Sequence, residues 1–110
     1  MGLLDLINNF SDMIDEKMSN MSTDELCKKI NNDSLMSETY VIELQARLRA
    51  EDIEELIDDY LEYVNYGYSS KVTDAYLVVI KNKLNHAEIR RRKKIRKKYE
   101  GQDYYLDELL

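Results

Sequence analysis

The sequence predicts an all-α fold, a small helical bundle of about five helices, on three observations. No proline interrupts its 110 residues, and the glycines are only Gly2, Gly67 and Gly101. Apolar residues recur at three- and four-residue spacing through most of the chain, the period of one helix face. A hydrophobic share of 44% supplies one modest core and leaves no material for a second.

Leu3, Leu6, Ile7, Phe10, Met13, Ile14 and Met18 form one apolar stripe and place a first helix at about residues 3–19. Ser22 followed by Glu25 is a capping box, in which hydroxyl and carboxylate satisfy opposite free amides, and it opens a short helix to about Ile30. Asn31, Asn32, Asp33 and Ser34 end it. Ser37 is the expected cap of a third helix burying Tyr40, Val41, Leu44 and Leu48. Asp52 with Glu55 begins a fourth, whose stripe is Ile53, Leu56, Ile57, Tyr60, Leu61 and Val64. Gly67 stops it, and the serines at 69 and 70 provide a cap for a long fifth helix from about Lys71 to Tyr99. Gly101 ends that helix and leaves a short acidic and apolar segment from Asp103 to Leu110, suited to folding back as an amphipathic piece.

The fifth helix has two unlike halves. Ala75, Tyr76, Leu77, Val78, Val79, Ile80 and Leu84 make its first half a core element. Twenty-nine helical residues span roughly 43 Å at 1.5 Å per residue, longer than a small domain is wide, so the second half is expected to project. That half contains the run from Arg90 to Lys98, in which only Ile95 is uncharged. Successive residues turn by about 100°, so the run sets positive charge on every side and leaves no apolar stripe to dock. Like charges four residues apart, as in Arg90 with Lys94, repel by about 0.2–0.5 kcal/mol per pair, which favours fraying until an anion binds. The expected division is therefore a bundle domain over 1–89 and a basic helix extension with a short acidic tail over 90–110, dispensable for folding.

Charge is segregated along the chain. Residues 1–79 carry six Lys or Arg and seventeen Asp or Glu, residues 80–99 carry ten and one, and residues 100–110 none and four, giving net charges of −11, +9 and −4. Cations concentrated in one segment of an acidic protein suit a polyanion, or an acidic protein face, at one place. Lys83, Arg90, Arg91, Arg92, Lys93, Lys94, Arg96, Lys97 and Lys98 are the expected nucleic-acid contacts, since neutralising phosphates releases condensed counterions whatever the base sequence. No helix-turn-helix spacing, zinc-ligand set or RNA-recognition signature narrows the choice between DNA and RNA. A nucleoprotein complex is an equivalent target.

The fourth helix carries the alternative reading. Glu51, Glu55 and Asp59 stand four residues apart, as do Glu54, Asp58 and Glu62, and each adjacent pair repels. Such rows serve solubility, pair with the chain's own basic helix, or present carboxylates to the basic groove of a protein partner. In the last case the chain is an inhibitor or adaptor, by analogy with the small acidic proteins that phages and plasmids direct against host defence nucleases. Homo-oligomerisation is left open.

Catalysis, metals and cofactors find little support. His86 and Cys27 are the only histidine and cysteine, lie on different expected helices and sit in no motif, and the scattered glycines make no phosphate loop. A regulatory binding protein rather than an enzyme is expected. One cysteine forms no intrachain disulfide, the Met1 to Ile7 segment lacks a basic export signal and the serine or threonine of a myristoylation site, and no apolar run approaches spanning length. A cytoplasmic protein without a membrane partner is the corresponding expectation.

Overall fold

The computed structural model describes residues 16–32 and 35–110. The stripe expected over 3–19 lies mostly outside these residues; within them, residues 16–19 are helical and Met18 is buried in the core. Six helices follow: α1 (Thr23–Asn32), α2 (Ser37–Leu48), α3 (Ile53–Asn65), α4 (Ser70–Asn85), α5 (Ile89–Tyr99) and α6 (Tyr104–Leu109). The fold is all-α, with no strand among the described residues. Helices α1 and α2 pack as consecutive neighbours, as do α3 and α4, and α4 also touches α1, α2 and α6. One hydrophobic cluster gathers Leu26, Leu44, Leu56, Ile57, Tyr76 and Ile80 and extends past residue 89 to Ile95, Tyr99 and Leu106.

Local chemistry sets the helix ends. Ser22 Oγ accepts from the Glu25 amide at 3.1 Å, so the serine half of the capping box is formed. Asp52, with extended backbone, caps α3 by accepting from the Glu54 amide at 3.2 Å. At the other end of α3, Gly67 takes a left-handed φ of 76°, Tyr68 N donates to Tyr63 O and Gly67 N to Val64 O, each at 3.1 Å. This double closure satisfies two terminal carbonyls and brings the rings of Tyr63 and Tyr68 to 4.7 Å, the side-chain contact that usually accompanies such a helix end.

Two expected serine caps take other roles. Ser37 is the first residue of α2 and is buried, and its hydroxyl accepts from Lys71 Nζ at 3.0 Å; Met36 occupies the cap position. Ser69 holds the cap position of α4, but its buried hydroxyl makes no hydrogen bond there, while its backbone amide donates to Asn31 Oδ1 at 2.8 Å. Tertiary packing claims the Ser37 hydroxyl and the Ser69 amide.

The long helix expected over 71–99 with a projecting basic end is instead two helices. Helix α4 stops at Asn85, Glu88 adopts extended backbone (φ −63°, ψ 147°), and α5 restarts at Ile89, with Arg92 N donating to Glu88 O at 3.0 Å. A continuous rod would hold Ile95 and Tyr99 in water; the break folds α5 back, leaving them 1% and 2% exposed. Burial of a large apolar side chain yields about 1.5–3 kcal/mol, enough to outweigh the few backbone bonds lost at residues 86–88. The segment after Gly101 also folds back, as α6, with Leu106 fully buried.

Candidate nucleic-acid interface

Helix α5 is two-faced. Arg91, Ile95, Lys98 and Tyr99 recur at intervals of four, three and one, so they share one side of the helix, and that side docks on α3. Ile95 and Tyr99 enter the core. The Tyr99 hydroxyl donates to Asp58 Oδ1 at 2.9 Å, and burial, reinforced by that carboxylate, raises its pKa. Lys98 Nζ lies 3.2 Å from Glu54 Oε1, and Arg91 forms an ion pair with Asp52, the residue that caps α3. The Arg91 hydrogen bond holds the Asp52 carboxyl below its usual range, so this group stays ionised at neutral pH.

The remaining cations face outward. Arg90, Arg92, Lys93, Lys94, Arg96 and Lys97 are exposed and form no ion pair among the described residues. At about 100° per residue, Arg92 and Arg96 lie on one flank, Arg90, Lys94 and Lys97 on the other, and Lys93 between them. The exposed side chain of Ile89 stands within this surface and, with Arg92, Lys93, Arg96 and Leu110, lines a shallow groove.

Lys83 is employed elsewhere. It is half-buried and donates from Nζ to Arg49 O at 2.8 Å, satisfying a free carbonyl at the end of α2. Of the expected basic contacts, six thus form the outward surface, Arg91 and Lys98 tether the helix, and Lys83 serves the bundle.

The acidic rows of α3 also divide by direction. Glu54 and Asp58 meet α5, Glu55 is exposed, and Glu51, Asp59 and Glu62 border a cavity on the opposite flank. Of the three purposes open to these rows in the sequence, internal pairing is realised by Glu54 and Asp58. Neither the pairing of Asp52 with Arg91 nor the docking stripe is expected from the sequence. Its signal was the recurrence of residues 91, 95, 98 and 99, masked because two of the four are cations.

Cys27 is fully buried, and burial pushes its thiol up to about 11, so it is a neutral core group. His86 is exposed at the α4–α5 junction with Nδ1 2.8 Å from Asn82 O. No described helix is long and apolar enough to cross a membrane. No protein-family model, curated protein or solved structure matches the chain.

Proposed function

We propose that this is a non-enzymatic binding protein of regulatory type that contacts nucleic acid through the outward face of α5. The observation that carries the reading is the division of labour within the basic run. Arg91, Ile95, Lys98 and Tyr99 are committed to holding the helix, while six cations remain exposed and unpaired among the described residues. A helix that merely needed to dock would not require them, since each lies near like charges that repel it. Their spread over two flanks suits phosphates on either side of the helix and favours backbone contact over base reading. The acidic remainder of the chain limits contact to this face by repelling phosphate elsewhere.

Fluorescence anisotropy with labelled duplex DNA, single-stranded DNA and RNA, over a salt series, tests the reading. Wild-type protein should bind at low salt, with the logarithm of affinity falling linearly against the logarithm of salt concentration. Replacing Arg92, Lys93, Arg96 and Lys97 by Ala should weaken binding by about a hundredfold or more and flatten the slope by about three to four units. These four side chains do not hold the fold, so melting should be unchanged. Absence of binding to all three probes at low salt would remove the proposal.

A further inference from the structure

On the flank of α3 turned away from α5 lies a cavity of about 550 Å³, a size suited to a small molecule or a partner's side chain. Its wall is aromatic. The Schellman closure at Gly67 stacks Tyr63 against Tyr68 at 4.7 Å, and Tyr76 of α4 reaches Tyr63 at 5.5 Å. The exposed Tyr66 stands at its border. The acidic lining comprises Glu51, Asp59 and Glu62 of the α3 region and Asp24 of α1. Lys28 is the one lysine or arginine in this lining and is spent on Asp24, at 3.1 Å.

A buried carboxylate oxygen and a buried phenol belong to residues that line this cavity. Tyr76 is fully buried and lines the cavity, with its phenol near Asp59 and Glu51. Glu51 Oε2 is buried and makes no hydrogen bond among the described residues. An unpaired buried polar group costs roughly 1–3 kcal/mol, and more when charged, so the Glu51 oxygen beside the aromatic wall points to a recognition role for a missing partner. Burial first and the neighbouring acids second raise the pKa of both Glu51 and Asp59, and Lys83 near Glu51 offsets only part of the rise. Among the described residues no three potential ligands stand close enough to hold a metal ion. The cation that answers this arrangement must therefore be larger and able to lie against aromatic rings.

We propose that the cavity binds an organic cation, an alkylammonium or guanidinium group, between the Tyr63–Tyr68–Tyr76 wall and the carboxylates of Glu51 and Asp59. The cation's N–H groups donate to Glu51 Oε2, to Asp59 and to the Tyr76 hydroxyl oxygen, while its stem or plane covers the rings. No cation of α5 lines this cavity, so its occupancy stands or falls separately from nucleic-acid binding.

Isothermal titration calorimetry on the full chain at low ionic strength tests this with argininamide, the blocked tripeptide acetyl-Ala-Arg-Ala-amide and spermidine. One saturable site is expected for at least one probe. Equal affinity for argininamide and tripeptide identifies the source as an arginine of a protein partner, and preference for spermidine identifies a free polyamine. The isosteric Glu51→Gln/Asp59→Asn variant should weaken binding roughly tenfold or more, because it removes the charge that meets the cation. Tyr76→Phe should weaken it several-fold with the fold intact, and Glu38→Gln, on the exposed face of α2, should leave it unchanged. No saturable binding by any probe overturns the proposal. Binding that survives Glu51→Gln/Asp59→Asn overturns it equally, since the cation would then sit elsewhere.

Discussion

Tyr60 of α3 donates its hydroxyl hydrogen to Asp103 Oδ2 at 2.7 Å, and the same oxygen accepts from the Leu106 amide at 3.0 Å. One carboxylate oxygen thus caps α6 and fastens it to the bundle, 43 residues away in sequence from its phenolic partner. Substituting Asp103→Ala removes both bonds. A helix cap contributes about 0.5–2 kcal/mol and a charge-assisted hydrogen bond about 1.5–3, so the expected loss is roughly 2–5 kcal/mol, read by urea denaturation. Tyr60→Phe should cost less, because the cap survives.

A chain ending at Ile89 should melt well below the full protein. It loses Ile95, Tyr99 and Leu106, each at most 2% exposed, and uncovers the core surface they protect. At about 1.5–3 kcal/mol per buried side chain, the loss approaches the whole stability of a small domain. Ile95→Ala alone should cost roughly 2–5 kcal/mol by chemical denaturation. Retention of full stability by the truncated chain would show that α5 and α6 form a dispensable extension.

The pairing of Lys98 with Glu54 can be tested by charge exchange. Glu54→Lys should lower the melting temperature by setting two ammonium groups side by side, and adding Lys98→Glu should restore part of the loss. The pair is about half exposed, so both changes should be small and should shrink as salt is added.

Stability should also depend on pH through the cavity carboxylates. Glu51 and Asp59 have folded-state pKa values above their ordinary 4.5 and 3.8. Between its ordinary and raised values each binds more protons folded than unfolded, so its contribution to stability falls as pH rises through that interval. Above the raised value the penalty is complete. Glu51→Gln/Asp59→Asn should therefore gain melting temperature over wild type as pH rises from about 4 to 7, with the curves converging at the acid end. Asp52 contributes in the opposite sense, since its lowered pKa gives stability that is lost on acidification, and the variant leaves that part unchanged.

Much of the bundle was legible because its determinants are local. Asp52 announces the start of α3, Gly67 its end, and Ile53, Leu56, Ile57 and Tyr60 the buried face, all within fifteen residues. The break at residues 86–88 was not legible. His86, Ala87 and Glu88 contain no strong helix breaker, and the reason for the break lies in what Ile95 and Tyr99 gain against α3, a contact more than thirty residues distant. The basic face was visible as a run of charge, whereas its division into tethers and free cations depended on where Asp52, Glu54 and Asp58 stood. The cavity was still less visible. Its tyrosines and carboxylates were conspicuous singly, but their meeting requires α1, α3 and α4 to pack together.

Docking fixes the axis of α5 before any ligand arrives, which governs the heat of association as much as its strength. A segment that folds on contact carries the ordering of its backbone into the binding reaction and reports it as a large negative change in heat capacity. Helix α5 is already formed over Ile89–Tyr99 and held by Arg91, Ile95, Lys98 and Tyr99. Binding to its outer face should accordingly show a small heat-capacity change and be driven by the entropy of released counterions.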